Sequence, residues 1–557
     1  MSIYSAFKSG YDRSMFWKDF FAALAVLILL VPQGLAYALL AGFPPITGLY
    51  AGLASLFIYP LFASSKQLSV GPVALTAIIL FAGLVEFAEP FSDEYIRLGL
   101  LVGLMAGFIQ ILIAVFKLGI IINFLSNPVI NGFISAAAII ICVNQLTGLL
   151  GFNIAQTGDL VTDSVSMAQN IGDINWITAT IGIGSIILIF FIKWINKKIP
   201  KALIVFAIAT ASVFLFKLVQ KDVQIIGELP TGLPAFSIFV FTWEEVKMLL
   251  PLSLVVALIS FIDSSALAKK LLAVKQDHRL NPNMELYGLG IAKVVGAFFY
   301  AFPTSGSFGR SAVNSDSDAQ SQVSSWITAV MLLLVILFLS PLFYYTPKAV
   351  LAAMIIAATF KLVDIKGMIA VFKSDRRDFY SMIACFILTL FMGIQQGILV
   401  GVLISLGLIL WRTMRPHYAV LGKLPKEKVY RNLSRYPHAD NDKKTLIVRY
   451  DEDLYFANAD YFYDSITKEL ADNPQTETFI LDMSVITHVD TTGFDTLELL
   501  AKTLKNIDVK FVSAAMIGPV RDLFSEGAYD YILPSENRFI SIDQYYASIG
   551  QIILPSK

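Results

Sequence analysis

Two ionisable residues stand inside long apolar runs of this chain: Asp263 in "LVVALISFIDSSALAKK" and Arg310 in "PTSGSFGRSAVN". A charged side chain at membrane depth costs at least ~2.5–3.5 kcal/mol on insertion scales, so such residues tend to mark a site or a pathway. Arginine brings a permanent charge and a fork of donors, which suits an anion. A lone carboxylate suits a cation, either Na+ or a proton. Plainer roles stand beside these. Asp263 near a helix end reaches interfacial water, and Arg310 snorkels to the interface or serves as a structural partner for Asp263.

Arg310 follows Pro303 and Gly306, with a short helix predicted from near Ser307. A second stretch, "SVGPVALTAIIL" at residues 69–80, repeats the pattern, with Gly71-Pro72 opening a short apolar helix. Proline suits a first helical turn, where its missing N–H is not needed. Two short Gly/Pro-interrupted segments at matching places in two halves are the pattern of an inverted-repeat transporter, whose half-helices meet near the bilayer midplane. Their unsatisfied N–H groups and positive dipole ends attract anions. The bland alternative is a pair of unrelated helix breakers.

The elements that must carry these residues follow from the distribution of charge. The 557-residue chain is 56% hydrophobic with formal net charge +0. It is more apolar than soluble domains are, and its charge argues against a general polyanion binder such as a nucleic-acid protein. Residues 20–65 hold no Asp, Glu, Lys or Arg, more than twice the ~20 residues that one transmembrane helix needs. Pro32 and Pro44-Pro45 divide them into two spans. Twelve more are predicted at about 71–88, 95–117, 127–150, 174–194, 200–218, 247–269, 286–301, 307–321, 324–341, 347–363, 379–393 and 396–413.

Charged loops orient these spans. With Lys8, Arg13 and Lys18 in the cytoplasm, the inner loops carry Lys193, Lys197, Lys198 and Lys201, then Lys269, Lys270, Lys275 and Arg279, then Lys366, Lys373, Arg376 and Arg377. The outer loops carry Glu86, Glu89, Asp93 and Glu94, then Asp159, Asp163 and Asp173. Both termini are therefore expected in the cytoplasm.

Past Arg415 the composition changes, so that 1–415 reads as a membrane domain, 416–440 as a polar linker and 441–557 as a soluble α/β domain. There "TLIVRY", "TFILDM" and "VKFVSA" are predicted strands, and "NADYFYDSITKEL" and "TGFDTLELLAKTL" predicted helices. Cys142 and Cys385 lie in apolar stretches as packing residues. His278, His417, His438 and His488 all fall in loops or the soluble domain. No metal cluster or Ser/His pair is predicted within the spans, and the chain is not expected to be an enzyme.

Several stretches, in order along the chain, resemble the SulP sulfate permeases, a family shared with animal solute-carrier anion exchangers and prestin. They are "VPQGLAYALLAGFPPITGLYAG" and "FIYPLFASSKQLSVGPVAL" in spans one to three, and "NPVINGFISAAAIIICVNQLTGLLG" in span five. "FIDSSALAKK" and "NPNMELYGLGIAKVVGAFFYAFPTSGSFGRSAVN" cover spans eight to ten, and "RPHYAVLGKLP" the exit from span fourteen. In the soluble part, "LYFANADYF" and "ILDMSVITHVDTTG" resemble a STAS domain, named for sulfate transporters and anti-sigma-factor antagonists.

The resemblance implies a polytopic α-helical membrane protein with fourteen transmembrane segments in a 7+7 inverted repeat of core and gate subdomains, plus a small cytoplasmic α/β STAS domain. It implies a homodimer in the plasma (bacterial inner) membrane that moves an inorganic anion by elevator-type alternating access. Sulfate is the leading substrate, coupled to H+ or Na+, and no cofactor is implied. The anion would lie between spans three and ten. Its site would comprise Gln33 and Tyr37 of span one, Gly71, Pro72 and Val73, and Ser307, Phe308, Gly309 and Arg310. Amide nitrogens and the Gln33 amide would donate, while Tyr37 and Phe308 would shape and dry the pocket. Asp263 matches the acidic position of span eight, where bacterial members more often carry glutamate. With Thr304, Ser305 and Gly306 it would hold Na+, or alone it would carry a proton.

Three features depart from the family pattern or bear on regulation. Gly309 replaces the usual serine before the arginine, and "SDSDAQSQ" places Asp316 and Asp318 where a lysine often sits. In the STAS domain, Thr491 or Thr492 is expected to be a helix cap. Thr492 also matches the antagonist's phosphorylated serine, which makes the pair a candidate regulatory site, and the domain is expected to bind a cytoplasmic partner. Alternatives to sulfate are Na+-coupled bicarbonate or H+-coupled dicarboxylate transport. An anion channel on the same fold, or a membrane anchor presenting the STAS module, are further readings.

Overall fold

The computed structural model describes residues 10–550 except 120–125, 153, 155–159, 197–200, 239, 276–279, 425–428, 441 and 527–528. Lys8, Asp159, Lys197, Lys198, His278 and Arg279 lie outside the described residues. The chain forms two compact units, Met1–Ser405 and Leu406–Lys557.

The first half of the membrane unit runs α1 (Arg13–Leu40), α2 (Pro45–Phe62), β1 (Val70–Gly71), α3 (Ala74–Leu84), α4 (Asp93–Val115), α5 (Asn127–Leu150), α6 (Leu160–Gln169), α7 (Trp176–Ile195) and α8 (Lys201–Leu215). The second half runs α9 (Trp243–Lys275), α10 (Pro282–Ala297), β2 (Ser305–Gly306), α11 (Phe308–Asp316), α12 (Val323–Leu334), α13 (Lys348–Thr359), α14 (Ile365–Ser374), α15 (Arg376–Met392) and α16 (Ile394–Met414). Fourteen of these helices occupy the segments expected to span; α6 and α14 are short additions between spans. Among the described residues, seven helical stretches are long and apolar enough to cross a bilayer outright: α1, α2, α4, α5, α7, α9, and α12 with its continuation to Phe343.

Helix ends follow local chemistry. Asp12 accepts from Met15 N at 2.7 Å to start α1, and Ser92 caps α4 ahead of Asp93 and Glu94, where the helix dipole favours acid. Pro45 and Pro282 open α2 and α10. The two interrupted segments yield the shortest core helices: α3 has 11 residues and α11 has 9. At ~1.5 Å per residue, each crosses only about half of a ~30 Å hydrocarbon core.

Broken backbone at that depth must find partners inside the protein. β1 and β2 pair antiparallel, Val70 opposite Gly306 and Gly71 opposite Ser305. Ser307 N donates to Ser69 O at 2.9 Å, Ser69 N to Ser311 Oγ at 2.8 Å, and Gly306 N to Ser264 Oγ at 2.8 Å.

Two buried carboxylates brace the segments on either side of this pair. Glu285 accepts from Tyr59 Oη at 2.5 Å, Ser64 Oγ at 2.6 Å, Ser64 N at 2.8 Å and Ser65 N at 2.9 Å, and so holds the approach to β1. Asp19 accepts from Ser321 Oγ at 2.6 Å, Gln320 N at 2.7 Å, Tyr11 Oη at 2.9 Å and Ser321 N at 3.2 Å, tying α1 to the turn after α11.

Small residues let the helices meet. A Cβ built on Gly48 of α2 would lie 1.9 Å from the Gly34 carbonyl of α1. The same closeness holds between α4 and α10, where a Cβ on Gly107 would lie 2.7 Å from Gly290 O.

The second unit contains β3 (Tyr418–Lys423), β4 (Tyr430–Asn432), β5 (Thr445–Tyr450), α17 (Ala459–Asp472), β6 (Thr478–Asp482), α18 (Thr491–Asn506), β7 (Lys510–Ala514), α19 (Gly518–Glu526), β8 (Arg538–Phe539) and α20 (Ile542–Ser548). The sheet order is β4-β3-β5-β6-β7-β8, with β5 to β8 parallel. Its apolar strands pack Val448, Phe479 and Leu481 against Phe462, Leu497 and Leu500 of the helices. Residues 416–440, expected as a linker, instead hold β3 and β4. β3 pairs antiparallel with both β4 and β5, Val420 opposite Val448, because its alternating side chains find a sheet edge to cover.

Two outcomes follow. Gly48→Ala should lower stability by about 1–3 kcal/mol through forced separation of α1 and α2, read as a drop in the melting temperature of the detergent-solubilised protein. Truncation before residue 441 leaves β3 and β4 without β5, so that protein should aggregate on size exclusion, whereas truncation after Arg415 should stay monodisperse.

Candidate functional site

The β1–β2 pair sets the starts of α3 and α11 side by side. Gly71, Pro72 and Val73 lead into α3, which begins with no side-chain cap, so its first-turn N–H groups stay available. Ser307 precedes α11, and its hydroxyl accepts from Arg310 N at 3.5 Å. Gln33 and Tyr37 lie one turn apart on α1, Gln33 half-buried and Tyr37 buried.

Arg310 joins the three elements. It is 0% exposed, and its Nη1 donates to Pro72 O at 2.9 Å and to Gln33 Oε1 at 3.3 Å. Because Gln33 turns its oxygen to the guanidinium, its Nε2 remains a donor for another group. Arg310 Nε and Nη2 are buried with no hydrogen-bond partner. Gly71 makes this possible, since a Cβ there would sit 3.0 Å from Arg310 Nη2. Neither of the plainer roles for Arg310 is seen. It does not reach solvent, and its hydrogen-bond partners are neutral oxygens rather than Asp263.

Phe308 departs from its expected part. Its ring is 55% exposed, so it does not dry the site, and Lys270 Nζ lies 4.7 Å from the ring centroid. A Cβ on Gly309 would meet nothing within 4 Å, so the absent serine leaves open space. Asp318 pairs with Lys18 at 2.8 Å and Asp316 is exposed, both at the far end of α11 from Arg310.

On the other side of β2, Asp263 of α9 is half-buried, with the Ser305 hydroxyl nearby. Ser305 Oγ also lies 3.1 Å from Ser260 O and 3.2 Å from Ser264 Oγ. Gly306 turns its N–H to Ser264. Thr304 points elsewhere, its hydroxyl 2.8 Å from Ser55 Oγ of α2. The structure thus sets Ser305 near Asp263, while Gly306 is bonded to Ser264 and Thr304 into the helix packing.

In the soluble unit, the expected cap at Thr491 or Thr492 is corrected. Asp490 caps α18, its carboxylate accepting from Gly493 N at 2.7 Å and Phe456 N at 2.9 Å. A carboxylate accepts there more strongly than a hydroxyl does. Thr491 and Thr492 lie exposed in the first turn.

Sequence reasoning passed over Lys293, Gln110, Glu285 and Asp19, and read Lys270 only as a loop charge. Lys293 is the one charged residue between Glu285 and Arg310, the same signal that singled out Asp263. The others carry no local mark; only their contacts identify them.

Residues 16–385 match the family model described as the sulfate permease family, and residues 436–539 match that of the STAS domain. The chain is 35% identical over 536 residues to "Sulfate transporter 4.1, chloroplastic" of Arabidopsis thaliana, covering 92% of this chain and 77% of that protein. It is 35% identical over 533 residues to "High affinity sulfate transporter 2" of Stylosanthes hamata, covering 92% and 80%.

Among solved structures, the murine Slc26a9 anion transporter in its inward-facing state superposes with a TM-score of 0.91 at 23% identity, over 98% of this chain and 93% of that one. The transmembrane domain of the cyanobacterium bicarbonate transporter BicA superposes with a TM-score of 0.62 at 24% identity, over 71% and 98%. These likenesses bear on the fold: a SulP-type membrane domain followed by a STAS domain. The family match spans most of the chain and its relatives align over nearly all of it, and so this chain belongs to the sulfate permease family.

Proposed function

We propose that this protein is a secondary active transporter of sulfate, working by elevator-type alternating access and driven by H+ or Na+. The observation that carries the reading is Arg310, a wholly buried cation with two donors unspent, set at the starts of two half-helices. The nearby donors all suit an oxyanion: Gln33 Nε2, the uncapped first turn of α3, and the open first turn of α11 at Gly309. Sulfate is favoured over bicarbonate or a dicarboxylate by the relatives at 35% identity, which are named as sulfate transporters.

Asp263 is the coupling carboxylate in this reading, since it lies near Ser305 of the strand that sets α11. A homodimer in the plasma (bacterial inner) membrane with cytoplasmic termini belongs to the same reading. So does a STAS unit that engages a cytoplasmic partner, with Thr491 and Thr492 accessible to modification.

Arg310→Met removes charge-assisted hydrogen bonds each worth about 1.5–3 kcal/mol, so sulfate affinity should fall roughly a hundredfold or more. The measurement is the sulfate-dependent rise in melting temperature of purified protein; a rise unchanged in the variant would put the anion elsewhere. Asp263→Asn should abolish gradient-driven uptake of labelled sulfate into liposomes while leaving that sulfate-dependent rise intact. Full gradient dependence in Asp263→Asn would remove Asp263 from the mechanism.

A further inference from the structure

An anion bound at Arg310 has to arrive from somewhere, and the first turn of α11 shows an opening. Ser307 is buried and Arg310 is 0% exposed, yet Phe308 and Gly309 between them are both exposed. A Cβ on Gly309 would meet nothing within 4 Å, so open space lies against this turn. The next residue is Arg310, with Nε and Nη2 unspent.

Lys270 stands at this opening. α9 packs directly on α11, and Ser264 Oγ of α9 accepts from Gly306 N at 2.8 Å. Further along α9, Lys270 Nζ lies 4.7 Å from the Phe308 ring centroid, and both side chains are exposed. Lys270 follows Asp263 by two helical turns and so shares its face of α9. That face runs past the chain from Ser305, near Asp263, to Phe308, under Lys270. A ring face attracts an ammonium electrostatically and leaves its outer side free for water or an anion.

The other charges nearby are placed differently. Asp263 lies about 10 Å back along α9. The Lys18–Asp318 pair and the exposed Asp316 are at the far end of α11. Lys269 is exposed on an adjacent face of α9. Lys270 is the charge in contact with the exposed first turn of α11.

We infer that Lys270 is a positioning residue for transport, which gathers the anion at the mouth of the site while Phe308 holds its ammonium beside Gly309. The inference rests on the reading of Arg310 as the anion site and of the turn after α9 as cytoplasmic. In water, one positive charge ~8 Å from a dianion raises its local concentration about three- to sixfold at low salt. Near 1 M salt the Debye length falls to ~3 Å and the attraction is lost. Such a residue lowers KM on the face it serves, leaves kcat alone and depends on ionic strength. A merely structural contact has neither sidedness nor salt dependence.

The test is counterflow of labelled sulfate into membrane vesicles that carry the full-length protein and are preloaded with saturating unlabelled sulfate, an exchange that needs no ion gradient. Everted vesicles present the cytoplasmic face, right-side-out vesicles the outer one. In everted vesicles at low ionic strength, Lys270→Gln should raise KM about three- to sixfold with kcat unchanged, and the rise should vanish near 1 M salt. Right-side-out vesicles should show no change, and Lys270→Arg should keep the wild-type KM. Phe308→Leu keeps apolar bulk but removes the ring face, so KM should rise in the same direction by less. Lys269→Gln removes the same charge one residue away against the same background of buried carboxylates, Glu285 and Asp19, and should change KM little.

No rise in KM, a rise from both faces, a rise indifferent to salt, a loss of kcat, or equal effects of Lys269→Gln and Lys270→Gln would each overturn the role of Lys270. An unchanged KM in Phe308→Leu would overturn the part given to the ring. An effect confined to right-side-out vesicles would overturn the cytoplasmic placement of the turn. A sulfate-dependent rise in melting temperature that survives Arg310→Met would instead overturn the underlying anion site.

Discussion

A guanidinium shut away from water, with only neutral oxygens beside it, is the constraint around which the membrane unit is arranged. Arg310 uses Nη1 on Pro72 O and Gln33 Oε1 and leaves Nε and Nη2 unpaired. Such a group persists only if its surroundings prevent it from swinging to solvent or to a carboxylate. The β1–β2 pair, the Ser307 cap and the close approach of Gly71 do this from one side. Gln33 on α1 does it from the other, and α1 is itself fixed by Asp19 and by the Gly34–Gly48 contact.

The treatment of buried charge is consistent through this unit. The buried carboxylates Glu285 and Asp19 are satisfied by hydroxyl and backbone N–H donors rather than by cations. The buried cations Arg310 and Lys293 contact neutral oxygens. Keeping the two signs apart leaves Arg310 without an ionic partner at the start of its half-helix. An interior with internal ion pairs would have lower field and would need no exogenous anion.

Much of the architecture was legible because it depends on local rules. Long uncharged runs make spans, and Gly71-Pro72 and Pro303 with Gly306 break two of them. The parallel strands of the second unit stand out as β-branched runs, and β5, β6 and β7 lie where those runs predict. Other elements were hidden. Residues 416–440 look like a connector because β3 and β4 are short and polar on one face, and only the edge of β5 makes them strands. Phe308 reads as a pocket wall, yet its exposure depends on the direction in which α11 leaves β2. Lys293 is conspicuous in sequence only as an isolated charge, and its meaning comes from Gln110, 183 residues away.

The sequence by itself determined the membrane spans, the two broken segments, the family to which the motifs point, and the identity of Arg310 and Asp263 as charges in apolar surroundings. These depend on composition and on backbone preferences that act over a few residues. Only the tertiary structure decided which donors of Arg310 stay unspent, that Thr304 turns to Ser55 while Ser305 turns to α9, and that Asp490 rather than a threonine caps α18. Each is a choice among hydrogen-bond partners of similar local merit, and it is settled by which helices the long-range packing brings within about 3 Å.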